Sequence, residues 1–264
     1  MPEAERERAL AFLRTVDEER AERVERLRGG ALAVFADTLP LVHDQNKVLA
    51  PAGVGIDDLP DLVEQVERVQ RAGGLRHRKI AFEDETACSD FPDWFQRRGW
   101  RKRPLRLMVH RGPAPGPGPG GASAADRAVE VDPPELAPAA YAFALEEPWG
   151  RSAEARRQVV AGDELTARAV TERGFAIHDG DAIVAYCRLY ARDGVGQIEN
   201  VTTLSAHRRR GYARALVSLA LRESLAANSL TFLVAEGADW PRHFYARMGF
   251  DDVGGYCEFN RLGA

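Results

Sequence analysis

The sequence predicts an α/β (α+β) fold, that is, a mixed β-sheet flanked by helices. In its second half the dipeptides Asp179-Gly180 and Asp193-Gly194 separate three successive apolar runs. Two-residue Asp-Gly loops favour the primed turns that join neighbouring antiparallel strands. The three predicted strands are residues 175–178, 182–191 and 195–203. This pattern indicates a β-meander.

A helix and further strands follow the meander. Residues 211–227 keep one apolar face, which indicates a helix packed against the sheet. A short apolar strand is predicted at 230–234, a short helix at 240–248 and a closing strand or hairpin at 250–259. Helices and strands therefore alternate along this half of the chain.

The first half contains two predicted helices and a strand. The charged N-terminal segment has apolar positions at Leu10, Leu13, Val24 and Leu27, which we interpret as one face of an opening helix. Residues 59–72 keep a helical apolar spacing, and Gly73-Gly74 should end that helix as a C-terminal cap. A short strand is expected at 79–82.

A segment rich in proline and glycine divides the chain. Residues 112–125 read GPAPGPGPGGASAA, which neither a helix nor a central strand can accommodate. We predict a first domain at 1–112, a linker at 113–125 and a second domain at 126–264. A long surface loop within a single domain is the alternative.

Composition excludes several classes of function. The 264 residues carry a formal net charge of -4, which argues against a general nucleic-acid binder. No apolar run approaches the roughly 20 residues that cross a bilayer, and the charged N-terminus lacks the apolar core of a secretory signal. The three cysteines are interpreted as reduced thiols in a cytoplasmic protein. The histidines do not cluster by spacing, and no metal is expected.

The run Arg208-Arg209-Arg210-Gly211-Tyr212-Ala213 indicates an anion site. The first turn of a helix presents unpaired N–H groups and a partial positive charge. Gly211 permits unusual backbone dihedrals, Ala213 is small, and the arginines can add charge-assisted hydrogen bonds. Such a site suits a diphosphate. A solvated basic run is the alternative. The Walker and dinucleotide-binding glycine patterns are absent.

Two segments resemble the GNAT superfamily of N-acetyltransferases. Residues 201–213, VTTLSAHRRRGYA, resemble its motif A, with Arg208, Gly211 and Ala213 at the defining positions. Residues 244–250, FYARMGF, resemble the family's Tyr-x-x-x-Gly-Phe segment. The likeness covers about residues 129–264. It implies a mixed, strongly twisted sheet flanked by helices, whose central strands splay apart to admit acetyl-CoA.

The resemblance also implies roles for individual residues. The backbone of Val201 and Thr203, with Thr202 between them, would bond the pantetheine arm like an added strand. The diphosphate would be held by Arg208, Arg209, Arg210, Gly211, Tyr212 and Ala213. Arg209 stands where many relatives have glycine, and Asp239 where they often carry an asparagine near the cofactor. Side-chain contacts to coenzyme A therefore stay open.

Two residues are candidates for proton transfer. Tyr245 would approach the sulfur of coenzyme A and protonate the departing thiolate, since a phenol with an ordinary pKa of about 10 stays protonated at neutral pH. Glu199 is a candidate base, directly or through water. The two-residue period of a strand places it on the same face as Val201. The alternatives are a core tyrosine and an exposed strand glutamate.

A loop between two helices of the second half is a weaker candidate. Glu146, Glu147 and Trp149 lie there, and in this family such a loop borders the acceptor pocket. Acidic groups at that place would attract an ammonium. A plain loop is the alternative.

The first half resembles a reduced copy of the second. Residues 80–82 and 91–100 echo residues 230–232 and 240–250, and Phe95 falls where Tyr245 stands. Motif A is missing from the first half, so two tandem GNAT-like domains are expected, of which the first does not use acetyl-CoA. A chance similarity is the alternative.

The expected function is transfer of an acetyl or other acyl group from acetyl-CoA to a primary amine, by direct transfer. The amine would belong to a small molecule or a peptide, and neither a nucleic acid nor a membrane partner is expected. A homodimer is left open. The alternative function is a catalytically silent acyl-CoA sensor or regulatory module, because fold does not determine function.

Overall fold

A computed structural model of the chain describes residues 2–113, 124, 126–236 and 241–263. Within these ranges the chain forms two compact units. The first unit comprises the described residues of Met1–Leu107, Val234–Phe244 and Asp252–Ala264. The second comprises those of Met108–Leu233 and Tyr245–Asp251.

The first unit combines helices with a mixed sheet. Its helices are α1 (Pro2–Glu19), α2 (Leu59–Ala72), α3 (Glu85–Asp90) and α4 (Pro92–Gln96). Its strands are β1 (Arg23–Arg26), β2 (Leu32–Phe35), β3 (Lys47–Leu49), β4 (His77–Phe82), most of β5 (Arg101–His110) and most of β11 (Phe250–Leu262). The strand order in this unit is β1-β2-β3-β4-β11-β5. Strands β3 and β4 are parallel, whereas β4 and β11 are antiparallel.

The second unit contains the β-meander. Its strands are β6 (Ala128–Val131), β7 (Thr171–Asp179), β8 (Ala182–Arg192), β9 (Val195–Thr203) and the first part of β10 (Leu230–Glu236), in the order β10-β9-β8-β7-β6. Its helices are α5 (Ala137–Glu146), α6 (Ala153–Thr166) and α7 (Tyr212–Ala227). The last two residues of helix α8 (Pro241–Ala246), which include Tyr245, belong to this unit. Strands β9 and β10 are parallel, and the other pairs are antiparallel.

Local signals position most of these elements. Helix α2 occupies the predicted residues, and Gly74, with φ of 72°, follows its last turn in the left-handed conformation that a C-terminal cap uses. The turns at Asp179-Gly180 and Asp193-Gly194 lie where predicted, and both residues of the second turn have positive φ. The α/β fold class, with its mixed sheet and flanking helices, is thereby confirmed.

The predicted opening helix is too long. Helix α1 ends at Glu19, and Val24 lies in β1, where it pairs with Val34 of β2. Leu27 lies in the connection that follows β1. Pairing with β2 satisfies the backbone of β1, and such tertiary contacts override a weak helical pattern.

Helices cover the two faces of the sheet in the second unit. Leu136 and Ala140 of α5 and its N-terminal turn pack against Tyr186 of β8. Asp163 of α6 forms an ion pair with Arg188 of β8. Arg188 lies on the same face of β8 as Tyr186, because residues two positions apart in a strand share a face. The opposite face is covered by α7, whose Ser224 lies against Gly196 of β9. Helices α5 and α6 thus share one face, and α7 covers the other.

The structure distributes the C-terminal residues differently from the predicted domains. Strand β11 pairs with β4 over 257–262, so residues 252–264 belong to the first unit rather than to a domain spanning 126–264. The predicted linker 113–125 lies outside the described residues except for Pro113 and Ala124. Independent folding of the two predicted domains therefore stays a prediction.

The expectation of three reduced thiols is wrong. Cys88 of α3 and Cys257 of β11 form a disulfide, with their Cα atoms 5.6 Å apart, and Cys187 is a buried free thiol. The two cysteines are 169 positions apart in the chain, and only the insertion of β11 next to β4 brings them together. Disulfides persist mainly in oxidising environments, so the cysteine argument for a cytoplasmic location no longer holds.

Candidate functional site

The start of α7 has the geometry of an anion site. Gly211 precedes the helix with φ of 80°, a left-handed conformation that glycine adopts without strain. The first backbone hydrogen bond of the helix joins the N–H of Ala215 to the carbonyl of Gly211 at 3.1 Å. The N–H groups of Tyr212, Ala213 and Arg214 therefore have no intrahelical acceptor. They add to the positive end of the helix dipole.

The loop before the helix keeps its arginines in solvent. It begins with a short 3-10 turn, Ser205–His207, and Arg209 then adopts φ of 63°. Arg208, Arg209 and Arg210 are all exposed. The Nε of Arg208 donates to the carbonyl of Thr203 at 3.1 Å, which holds this side chain against the end of β9. Three cations therefore stand beside the open N–H groups of the helix.

Arg127 holds the first residue of the helix in place. Its Nη1 donates to the Tyr212 hydroxyl at 2.6 Å and its Nη2 to the carbonyl of His178 at 2.5 Å. Tyr212 is buried, so the start of α7 is tied to the β7–β8 turn. The sequence analysis missed Arg127, because no motif or spacing connects it with residue 212.

Glu146 contacts the same loop from α5. Its carboxylate accepts from the backbone N–H of Ser205 at 3.0 and 3.1 Å and from the Ser205 hydroxyl at 2.9 Å. The same carboxylate lies 3.6 Å from Nη2 of Arg208. Glu146 thus binds the 205–208 turn, whereas the sequence analysis had considered it only as a charge for an amine. Trp149 in the same connection is 45% exposed.

Strand β9 extends beyond its pairing with β10. The described pairs between the two strands run from Val195 with Leu230 to Gln197 with Phe232. Beyond that point β9 continues to Thr203 while it pairs with β8. The described β9–β10 pairs therefore leave the edge of residues 198–203 unused. This agrees with the expectation that the central strands of the sheet separate at this point.

A β-bulge corrects the predicted relation between Glu199 and Val201. Asn200 has φ of 53°, and the register shifts so that Arg188 pairs with Glu199 and Tyr186 with Thr202. Paired residues share a face, so Glu199 lies with Thr202 and not with Val201. The extra residue breaks the two-residue period on which the prediction rested. Glu199 consequently faces the side covered by α5 and α6.

Tyr245 is partly buried near Glu199. Burial is the main cause that raises the pKa of its phenol above the ordinary value, and the charges of Glu199 and Cys187 raise the pKa further. Its ring meets that of Phe250 edge to face, with centroids 6.0 Å apart. The phenol stays protonated at neutral and moderately alkaline pH. The sequence contained no signal for Cys187 beside it.

Further polar groups surround Glu199 on its face of the sheet. The Nε2 of Gln197 donates to a Glu199 carboxylate oxygen at 2.6 Å. Arg188 is buried between Glu172 and Asp163, with 2.7 Å to an Asp163 oxygen. Burial, together with Glu172, raises the pKa of Asp163 to about 6 despite the arginine. This face therefore carries more carboxylates than cations.

The predicted donor-binding residues form two groups, one at the end of β9 and one directly after it. Val201, Thr202 and Thr203 end β9, and residues 208–213 follow in the loop and helix start. Asp239 lies outside the described residues. Within the described ranges, no group of three or more histidine, cysteine or acidic side chains is placed to hold a metal ion.

The loop fits a diphosphate in shape and in charge. Among the described residues, a Cβ built on Gly211 would meet Ala124 at 3.8 Å, an ordinary van der Waals contact. The neighbouring groups are N–H donors and guanidinium cations, which are the donors that phosphate oxygens accept from. The residues present therefore fit the diphosphate of coenzyme A.

A family comparison identifies one part of the chain. Residues 138–250 match the sequence profile of the Acetyltransferase (GNAT) family. The matched range begins in α5 and ends where β11 begins, so it contains the meander, the loop and Tyr245. By this match residues 138–250 are a GNAT acetyltransferase domain, as the resemblance implied.

Solved structures share the fold over most of the chain. A GCN5-related N-acetyltransferase from Kribbella flavida is 18% identical with a TM-score of 0.64, covering 98% of this chain and 96% of that one. A functionally unknown conserved protein from Staphylococcus epidermidis is 12% identical with a TM-score of 0.68, covering 92% and 94%. A tandem GNAT protein from the clavulanic acid biosynthesis pathway is 13% identical with a TM-score of 0.56, covering 93% and 86%. At these identities the likeness concerns the fold alone.

The remaining comparisons add little. No curated protein sequence matched the chain. None of the helices in the described ranges is both long enough and apolar enough to cross a bilayer.

Proposed function

We propose that this chain transfers an acetyl or other acyl group from acyl-coenzyme A to a primary amine. The observation that carries the proposal is the start of α7, where open N–H groups follow left-handed Gly211 beside three exposed arginines. The family match supports acyl transfer as the general chemistry. Acetyl-CoA would supply the activated acyl group.

Binding of the donor would depend on three parts of the chain. The N–H groups of Tyr212 and Ala213 and the arginines would hold the diphosphate. The edge of β9 at Val201 and Thr203 would bond the pantetheine arm as an added strand does. Holding donor and amine in contact supplies much of the acceleration, since effective molarities reach about 10⁵ M or more.

Two side chains would move protons. Glu199 would take a proton from the amine, directly or through water, from the face that α5 and α6 cover. Tyr245 would donate its proton to the departing thiolate, since its raised pKa keeps the phenol protonated. The acidic excess around Glu199 would favour approach of a cationic amine.

The competing proposal is a silent acyl-CoA sensor. A sensor needs the loop at α7 but has no use for a protonated phenol and a carboxylate near one another. Their pairing in the second unit favours the enzyme. The acceptor amine would belong to a small molecule or a peptide.

Thiol release from acetyl-CoA with a panel of amines tests the proposal. Small amines, amino acids, aminoglycosides and peptides with free N-termini should be included, with products identified by mass spectrometry. We expect amine-dependent thiol release and an acylated product. Tight binding of acetyl-CoA without amine-dependent release across the panel would favour the sensor. Absence of binding would reject both.

A further inference from the structure

Gln197 bonds the carboxylate of Glu199, the candidate base. Its Nε2 donates to Oε2 of Glu199 at 2.6 Å. The two residues are two positions apart in β9, so their side chains leave the same face of the sheet. Gln197 is only 6% exposed. The amide of a buried side chain therefore bonds the group that would take the proton from the amine.

The backbone of Gln197 is regular, whereas that of Glu199 adjoins the bulge. Gln197 pairs with Tyr190 of β8 and is also the last residue of the described β9–β10 pairs. Glu199 pairs with Arg188 of β8, and the bulge at Asn200 follows directly. A bulge re-aims the side chains beside it. A bond from the regular part of the strand therefore holds the carboxylate where the backbone becomes irregular.

The donor to Glu199 is uncharged. Arg188 is the cross-strand partner of Glu199, but its described hydrogen bonds go to Glu172 and to Asp163. A guanidinium bonded to Glu199 would lower the basicity of the carboxylate more strongly than an amide does. An amide thus suits a carboxylate that has to be both fixed in orientation and able to accept a proton.

Other ionisable groups share the face of Glu199 or lie near it. They are Tyr186, Arg188 and Tyr190 of β8, Glu172 of β7, Asp163 of α6 and Tyr245 of α8. Glu146 of α5 bonds Ser205 instead. Burial is the main cause that raises the pKa of the three phenols, which stay protonated at neutral pH, and that raises the pKa of Asp163 to about 6. An acidic limb in the rate profile can therefore come from Glu199 or from Asp163, and the test has to separate them.

We propose that Gln197 is a positioning residue, which orients the Glu199 carboxylate and keeps it ionised for removal of the amine proton. The inference rests on the proposed function. The proton leaves the amine nitrogen for the carboxylate while that nitrogen bonds the acyl carbon. The carbon–sulfur bond breaks, and the thiolate takes the proton of Tyr245. Gln197 contacts neither substrate and acts through Glu199.

Single-turnover rates of the full chain from about pH 5 to about pH 9, corrected for the neutral fraction of the amine, test the proposal. In Gln197→Met the plateau should fall about 10-fold or more, because the carboxylate loses its orientation. The acidic limb should move about one pH unit higher, since the anion loses a donor. The dissociation constant of acetyl-CoA should not change.

Gln158→Met is the matched control. Gln158 of α6 is also buried, at 8% exposure, and its Nε2 donates to Glu154 at 2.7 Å. The control removes the same kind of bond from the same unit, so its plateau and its acidic limb should match those of the wild type. A control that behaves like Gln197→Met would mean that loss of any buried amide is responsible, which overturns the inference.

A double-mutant cycle separates positioning from packing. In a Glu199→Gln background, Gln197→Met should change the rate by less than about twofold, because the amide acts through the carboxylate. An acidic limb that persists in this background belongs to another group, such as Asp163, and Gln197→Met should not move it. Equal losses from Gln197→Met in both backgrounds would assign Gln197 to packing and overturn the inference.

Gln197→Glu gives a second variant of nearly the same shape. It places a second carboxylate against Glu199, and two carboxylates at this distance share a proton. The acidic limb should then move higher than in Gln197→Met. Amine-dependent turnover in the wild type with an unmoved limb in Gln197→Glu overturns the inference alone. Absence of amine-dependent thiol release from the wild type overturns the proposed function and the inference with it.

Discussion

The segments β3–α2 and β9–α7 both run from a strand through a loop into a helix. In each case the strand also lies parallel to the strand that follows the helix. The two segments thus have the same local architecture in different units of the molecule. Their loops, 50–58 and 204–211, differ in charge, and their strand pairs differ in how far they extend.

The start of α2 carries acidic side chains. Asp58 accepts from the backbone N–H of Gly55 at 2.8 Å, and Asp57 and Asp61 stand beside it. Asp61 pairs with Arg28 at 2.9 Å. Acidic side chains offset the positive end of this helix by their charge, although the N-cap Asp58 makes no capping hydrogen bond to it. The start of α7 differs, because arginines precede it and its first turn contains no acidic residue.

The parallel strands differ in their pairing. Val48 pairs with Ile80 and Leu49 with Ala81, and the N–H of Ala50 still donates to the carbonyl of Ala81 at 2.9 Å. Strand β3 is therefore paired with β4 to its end. Strand β9 continues for six residues past its last described pair with β10. Of these two strands, β9 is the one whose described pairs leave an edge that an added strand could bind.

The aromatic residues that align in the two halves also differ. Phe95 is fully buried and stacks on Phe259 with centroids 4.0 Å apart. Tyr245 carries a hydroxyl near Glu199. One ring serves packing, whereas the other adds a hydroxyl group. The first half therefore repeats the architecture without that hydroxyl.

The largest expected effect comes from a glutamate at Gly211, and the same change in the loop before α2 serves as the control. Gly211→Glu should weaken acetyl-CoA binding by about 100-fold or more, since a carboxylate would occupy the place of the diphosphate. Gly53→Glu is the matched control, because Gly53 also has a positive φ of 75° and open space around it. Calorimetry should find its affinity unchanged. Equal losses in both variants would mean that backbone strain, not the site, is responsible.

Tyr245→Phe should slow the chemical step by roughly 10²- to 10⁴-fold, the usual range for a general acid. The ring packing remains, so the dissociation constant of acetyl-CoA should change little. Single-turnover rates are needed, since slow product release would mask the loss. Tyr141→Phe, on α5, serves as the control. A Tyr245→Phe rate within about twofold of wild type would assign the tyrosine to packing.

Phe95→Tyr should cost about 1–3 kcal/mol of unfolding free energy, because a hydroxyl enters a filled core. Urea denaturation measures this loss. The variant should show no gain in turnover and no second acetyl-CoA site. An unchanged stability together with a second site would show that the first unit lacks only the hydroxyl.

The smallest expected effect is on the alkaline side of the pH profile. Tyr245 is active as a donor in its protonated form, and its raised pKa moves the loss of that form to higher pH. Single-turnover rates, corrected for the neutral fraction of the amine, should stay level from about pH 7 to about pH 9. A fall in this window that is absent in Tyr245→Phe would show that the phenol ionises there.

Short sequence patterns predicted the elements that depend on interactions between neighbouring residues. The helix at 59–72, the Asp-Gly turns and the strand–loop–helix at 195–227 depend on neighbouring residues, and the structure places them as expected. The loop for which we propose diphosphate binding could be recognised for the same reason. Its glycine and arginines lie within four positions of one another.

Features that depend on distant contacts escaped prediction. The insertion of β11 beside β4, and with it the disulfide between Cys88 and Cys257, joins residues about 170 positions apart. The bulge at Asn200 reverses the face of Glu199, although asparagine tolerates the left-handed conformation better than most residues. The contact from Glu146 to Ser205 crosses from one helix to a remote loop. Spacing along the chain carries no signal for such pairs.

The stoichiometry of acetyl-CoA binding tests the central claim most directly. Calorimetric titration of the full chain should find one site per chain. Of the two strand–loop–helix segments compared here, the one from β9 to α7 combines arginines at the helix start with a strand edge beyond its described pairs. The heat should disappear in Gly211→Glu and persist in Gly53→Glu. Two sites per chain, or a single site that survives Gly211→Glu, would contradict the account.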